Sequence, residues 1–357
     1  MKHNIVVFFA IVLVWGLSSC SNLGSVVLPP DRLSYNKSLL TSDAEQTLLN
    51  IVRLRYTDPP YFLSVNNVVS QFSFGNDFNV NVANSAPPPS LLGSGSASVN
   101  YSESPTITYT PLQGEEYIHR LLTPVNLDVL YMLFRSGWSV HHIGRMVIQR
   151  FGEVENASLA SRDMSGRIPI FKPFLKLIAV FRHLQNQNNV LIRKDKIDGV
   201  FAIRFTINNY ELLNTKERAM LAQFNVSKRS PDLWLTTTSS REKNQVYVET
   251  RTVLGLLFYL SKGVDVPKKD IINKQARMTY YPDGTVFDWR EVTHGMIHVL
   301  SSESKPTNAS VSVFYRGSWF YIPEGDFSSK ETLNLLGIVM GIYQGNIKST
   351  LPVFTVS

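Results

Sequence analysis

The sequence predicts an α+β fold, with mixed helices and antiparallel sheets and one long amphipathic β-hairpin. Three observations lead there. Apolar and polar residues alternate with period two in the runs 71–83 and 99–111, the spacing of a strand with two unlike faces. Apolar stripes of helical period appear elsewhere, as at Leu48, Leu49, Val52 and Tyr56, and at Phe174, Leu177, Ile178 and Phe181. The two kinds of element do not follow the regular βαβ order of a doubly wound sheet, and no repeat of fixed period is present.

From the N-terminus, Lys2 and His3 precede an apolar run from Ile5 to Trp15. A bilayer span needs about twenty such residues, so this shorter run has the size of a signal-peptide core. Leu17-Ser18-Ser19-Cys20 follows. An aliphatic residue and two small residues before a cysteine resemble the bacterial lipobox. The resemblance implies removal of 1–19, a diacylglycerol on the Cys20 sulfur, and Cys20 as the new N-terminus. The other reading, a cleaved signal peptide with a chance cysteine, has to place the only cysteine of 357 residues at that spot by accident. Ser21 rather than Asp comes next, which by the same resemblance directs the protein to the outer membrane, on its periplasmic face.

A lone cysteine has no thiol to pair with, so the chain folds on core packing without disulfides. With 44% hydrophobic residues it has the material for a sizeable core. No later run has the length of a transmembrane helix; Leu254–Leu260 comes nearest. Net charge is +7 but uneven: residues 162–277 hold 21 Lys and Arg against 10 Asp and Glu. A basic half can meet phosphate-bearing lipid or an acidic protein surface. The charges are scattered along the chain, which also describes a plain solvated surface, and no nucleic-acid partner is expected.

Ser21–Pro30 reads as a tether, giving the division 1–19 signal peptide, 20–30 lipidated tether, 31–160 helix plus long hairpin, and 161–357 α+β C-terminal region. Thr41-Ser42-Asp43 opens a helix, with Ser42 and Glu45 or Asp43 and Gln46 as a capping box, and Asp58-Pro59-Pro60 ends it. Asn84–Ser96, with three prolines and several glycines, reads as the hairpin's tip. Helices follow at Glu115–Leu122, Asn126–Arg135, Ile170–Gln185, Thr215–Phe224 and Thr252–Lys262, the last apolar on all sides and therefore buried. Strands are expected at Met146–Glu155, Val190–Ile192, Val200–Thr206, Leu233–Thr237 and Gln245–Thr250, with a turn at Asp198-Gly199. The C-terminal part reads as β-rich over Met278–Trp289, which carries a Pro282-Asp283-Gly284 turn, then Met296–Ser301, Ser310–Tyr315 and Ser318–Ile322, the last pair joined at Arg316-Gly317, before a helix capped by Ser328 or Ser329.

No nucleophile elbow, phosphate-binding loop, zinc-protease helix or dinucleotide fingerprint is present, and lipidation of Cys20 excludes a thiol nucleophile. His141-His142 are adjacent and point apart on any regular element. Glu291, His294 and His298 have metal-ligand spacing only on a helix; on a strand, as Gly295 suggests, the two histidines lie about 13 Å apart. No metal or other cofactor is therefore expected, and the chain is not read as an enzyme. Tyr280, Tyr281, Trp289, Tyr315, Trp319 and Tyr321 crowd the C-terminal sheet, where aromatics stack on sugars or simply pack as β-formers.

The hairpin is the most informative stretch. Phe72, Phe74, Phe78, Val80 and Val82 share one parity; Val99, Tyr101, Ile107 and Tyr109 share one in the second run. The opposite parities are rich in Asn, Ser, Gly and Thr. Such runs suit a membrane or partner hairpin. A soluble sheet with one face on a core has the same pattern, and Asn76, Glu103 and Pro105 interrupt the apolar series.

Three segments, Leu49–Tyr56, Pro105–Leu112 and Tyr315–Ile322, are similar to a widespread, functionally uncharacterised group of proteobacterial envelope lipoproteins. That resemblance implies an envelope location and a non-enzymatic role. The expected function is a structural or accessory subunit of an envelope or secretion/export assembly, with the membrane, envelope proteins and further copies of the chain as partners. Two alternatives stand beside it: an oligomeric outer-membrane pore built from donated hairpins (71–111), and an envelope glycan-binding protein or hydrolase.

Overall fold

The computed structural model describes residues 23–84, 91–112, 114–158, 160, 167–238 and 244–344; Cys20 and the signal-peptide segment lie outside them. The fold is α+β. The described residues form two compact units, 23–60 with 119–344, and 61–118. The helix before the hairpin thus belongs with the C-terminal body, a grouping that depends on contacts 200 residues apart and leaves no local signal.

In the body, helix α1 (Leu23–Arg55) begins well before Thr41, through the segment expected as a tether, so Ser42 and Asp43 lie inside it rather than at a cap. Pro29 and Pro30 remove two ladder hydrogen bonds from its early turns. Its C-terminal half is the packed part: Leu48, Ile51 and Val52 are fully buried. Helices α2 (Glu115–Leu122), α3 (Leu127–Arg135) and α4 (Val140–Val147) follow. Asn126 caps α3 by accepting from the Asp128 amide at 2.9 Å. Where one strand was expected over Met146–Glu155, α4 runs to Val147 and gives way to β3 (Ile148–Phe151) and β4 (Val154–Glu155).

Next come α5 (Lys172–Asn186), β5 (Val190–Ile197), β6 (Val200–Ile207), α6 (Thr215–Ala222), β7 (Asp232–Thr236) and β8 (Gln245–Thr250). The β5–β6 turn is the expected Asp198-Gly199 pair, both at positive φ (50° and 81°), as a two-residue hairpin turn requires. The sheet order is β4-β3-β8-β7-β6-β5. It is mixed rather than purely antiparallel, because β7 and β8 pair in parallel. A chain of edge-to-face and tilted rings, Phe134–Phe205–Phe181–Phe151–Phe224, with centroids 5.2–6.1 Å apart, joins helices to this sheet.

Helix α7 (Val253–Ser261), capped by Thr252, is buried as its apolar composition demands and packs against α1 and α4. Short helices α8 (Lys268–Ile272) and α9 (Arg290–Thr293) lead to a second sheet of β9 (Leu300–Ser302), β10 (Ala309–Tyr315) and β11 (Ser318–Pro323), ordered β10-β11-β9. Met278–Trp289, expected as β-rich around a Pro282-Asp283-Gly284 turn, makes that turn, with the Gly284 amide donating to the Tyr281 carbonyl at 2.9 Å, but its flanks meet only in an isolated antiparallel bridge between Tyr280 and Val286. Helix α10 (Phe327–Gln344) closes the body. Asp326, not Ser328 or Ser329, is its cap: its carboxylate accepts from the Ser329 amide at 3.0 Å and from the Ser329 hydroxyl at 2.6 Å.

The other unit is dominated by β1 (Leu63–Asn84) and β2 (Leu91–Pro111), paired antiparallel. Both are longer than the expected runs. Leu91–Ser96, assigned to the tip on composition, is strand, because period-two pairing tolerates small residues when a partner strand satisfies the backbone. The register sets Phe74 opposite Tyr101, Phe78 opposite Ala97, Val80 opposite Gly95 and Val82 opposite Gly93. A bulge lies between Val65 and Asn67. At the base, the Leu112 amide donates to the Phe62 carbonyl at 3.0 Å, and Phe62 meets Tyr117 edge-on at 6.3 Å.

Candidate functional site

The segments Leu49–Tyr56 and Tyr315–Ile322, distant in sequence, meet in the body. Helix α1 ends in Arg55 and Tyr56; the β10–β11 turn carries Tyr315 and Arg316. The Tyr56 ring packs edge-on against Tyr315 at 5.9 Å and Phe320 at 6.1 Å, with the Arg316 guanidinium over it at 5.1 Å. The Tyr56 hydroxyl donates to Asp270 on α8 at 2.6 Å. Burial and that carboxylate push the phenol well above its ordinary range. Against the cost of its own burial, Asp58 is held below the usual carboxylate range by the Tyr315 hydroxyl at 2.5 Å and by Arg316 at 3.0 Å. Arg55 donates to the carbonyls of Arg277 at 2.7 Å and Val264 at 3.4 Å, and burial lowers it to about 10. Every polar head here is committed to another part of the chain. The arrangement is a lock between α1, α8 and the C-terminal sheet.

The chain leaves α1 through Thr57 at φ 66°, a left-handed conformation costly for a β-branched residue. Thr57→Gly is therefore expected to raise the stability of the body by about 1 kcal/mol, read as an upward shift in melting temperature; a fall would show that the Thr57 side chain contributes contacts that outweigh the strain.

The residues singled out by sequence spacing have separate fates. His142 on α4 is buried, with Nε2 2.8 Å from the Thr332 hydroxyl. Glu291 pairs with Lys172 at 3.3 Å, and His298 Nε2 lies 3.0 Å from Asp265 Oδ2. His298 is raised mainly by that hydrogen bond. Among the described residues, no group of three His, Cys, Asp or Glu is placed to hold a metal. The aromatic residues do not form one surface. Trp289 is buried and donates to the Thr279 hydroxyl at 2.9 Å, whereas Trp319 sits in the sheet against Phe314 at 5.4 Å.

Of the hairpin series, Ile107 and Tyr109 at the base are 39% and 52% exposed. Phe74, Phe78, Val80, Val82 and Tyr101 occupy the register positions given above, Val99 pairs with Asn76, and Phe72 pairs with Glu103. Among the described residues, no third strand joins β1 or β2.

Sequence reasoning missed a buried cation. Arg251, at the β8–α7 junction, is 2% exposed. It donates to the carbonyls of Arg145 (3.0 Å), Met146 (2.9 Å), Ile148 (2.8 Å) and Asn156, and lies over the Tyr259 ring at 4.0 Å. An arginine between a strand and a helix reads as a solvated boundary residue; only the convergence of carbonyls from α4 and β3 marks it as internal.

An open groove of about 690 Å³ runs between α1 and α10, lined by Leu40, Ala44, Val311, Phe327, Leu333 and Ile338. Asp43, Thr47, Ser310, Lys330, Glu331 and Asn334 line it beside these apolar residues. The chain matches no family model, no curated protein sequence and no solved structure.

Proposed function

We propose that this chain is a lipoprotein held by a lipid on Cys20 at the periplasmic face of the outer membrane, where it acts as a structural subunit of an envelope or secretion/export assembly. The observation that carries the reading is the hairpin. Strands of 22 and 21 residues pair with one another, and no further strand joins them among the described residues. A two-stranded ribbon is marginal in water, and long open edges are templates for pairing with other chains. An element of this length is stabilised when a partner completes it. The commitment of Tyr56, Asp58, Asp270 and His298 to internal bonds supports a structural rather than catalytic role for the body.

Two measurements test this. Cells fed a labelled fatty acid should incorporate it into the wild-type chain and not into Cys20→Ser; equal labelling of both, or of neither, removes the anchor. Membranes dissolved in mild detergent should yield wild-type particles well above the 40.3 kDa chain mass. A chain with 67–106 replaced by a short Gly/Ser turn should run as a single copy. Particles of unchanged size would show that the hairpin does not mediate assembly.

A further inference from the structure

We infer that the hairpins of several copies pair edge to edge, β1 of one copy against β2 of the next, and close into one transmembrane β-barrel with a polar lumen. This rests on the assembly reading above and specifies its partner as further copies of this chain.

The geometry supports head-to-tail addition. The two edges of the ribbon have nearly equal length, and β1 and β2 run in opposite directions, so each added hairpin continues an antiparallel sheet. Repetition of one heterologous contact closes into a ring when the rotation between copies completes a full turn, and a closed ring has no edge left to satisfy.

The register adds what the sequence alone lacked. Residues directly opposite one another in an antiparallel pair share a face. With Phe74 opposite Tyr101, Phe78 opposite Ala97, Val80 opposite Gly95 and Val82 opposite Gly93, one face is apolar or small apart from Asn76, which stands opposite Val99. Ser73 opposite Ser102, Gly75 opposite Asn100, Asp77 opposite Ser98, Asn79 opposite Ser96 and Asn81 opposite Ser94 make the other face polar or small over 73–81. A register one residue away would have mixed the two. The stretch 72–82, tilted as barrel strands are, rises about 25 Å, the height of an outer-membrane apolar band. Glu103 stands opposite Phe72, at the end of that stretch and so at the level of the headgroups. The rest of each strand extends the barrel beyond the bilayer.

The mature chain offers a clean test, since Cys20 is its only cysteine and carries the lipid in this reading. Single cysteines at Asp77, Phe78, Asn79, Val80, Asn81 and Val82 would be exposed, in intact membranes, to a charged, membrane-impermeant maleimide. Positions 77, 79 and 81 should react about tenfold faster than 78, 80 and 82, because hydrocarbon disfavours the reactive thiolate. The unmodified chain, added to a planar lipid bilayer, should give stepwise ionic conductance. A multi-copy particle whose two parities react alike, or which conducts no ions, overturns the barrel and leaves the assembly standing. A single-copy particle overturns both.

Discussion

Replacing Arg251 with methionine is expected to destabilise the body by roughly 3–5 kcal/mol. The reason is positional. The last carbonyls of a helix have no partner within it, and they form the negative end of its dipole. Helix α4 ends at Val147, and Arg251 takes the carbonyls of Arg145 and Met146 together with Ile148 and Asn156 beyond them. Burial lowers the guanidinium to about 10, which leaves it charged at neutral pH. Methionine fills comparable volume but strands these acceptors, each costing about 1–3 kcal/mol when buried and unsatisfied. Arg251→Lys should rescue little, since one ammonium cannot span a fan of carbonyls on two elements. Urea unfolding of the purified chain reads the effect. A methionine variant with the wild-type midpoint and slope would mean that water replaces the guanidinium at no cost.

The second large effect is acid loss of stability through His142. Its surroundings keep it neutral: burial first, then the charges of Arg145 and Arg182, lower it to about 4. The Thr332 hydroxyl gives its proton to the Met296 carbonyl at 2.6 Å, so it accepts from His142, and the neutral ring carries its proton on Nε2. In the unfolded chain the imidazole titrates near its ordinary 6.5. A depressed folded value means that the stabilising difference is full above 6.5 and is lost as pH falls towards 4. The loss for this one group is roughly 3 kcal/mol. His141, lowered to about 4 by burial and by Arg145, Arg182 and His142, acts in the same direction. His298 acts oppositely: raised by its hydrogen bond to Asp265, its contribution is full below 6.5 and fades as pH rises through its own value, so the two windows separate. His142→Gln, whose amide still donates to Thr332, should flatten the acid limb of a stability-versus-pH curve. An unchanged limb would assign acid sensitivity to other groups.

Features set by near neighbours were legible without the fold. The Asp198-Gly199 turn, the capped apolar helix at 253–261 and the paired runs of the hairpin follow from turn chemistry, composition and period two, all local constraints on backbone geometry. Where local signals misled, a distant partner had overridden them. Leu91–Ser96 looks like loop until β1 pairs with it, and the flanks of the Pro282-Asp283-Gly284 turn look like strands but have no neighbouring strand to extend their one bridge into a ladder. The candidate site divides the same way. The hairpin residues stood out by alternation alone. Arg251 and the Tyr56–Asp270–Tyr315 lock did not, because burial of a polar side chain depends on which carbonyls and carboxylates the rest of the chain brings to it.

The sequence by itself determined the α+β class, the positions of most helices and strands, and the alternation of the hairpin, since each rests on contacts within a few residues. The tertiary structure alone decided the parallel β7–β8 pair, the burial of Arg251 and the register that sets Phe78 against Ala97 and Asn79 against Ser96. Those depend on which distant segments satisfy one another's hydrogen bonds, and a local pattern carries no record of that.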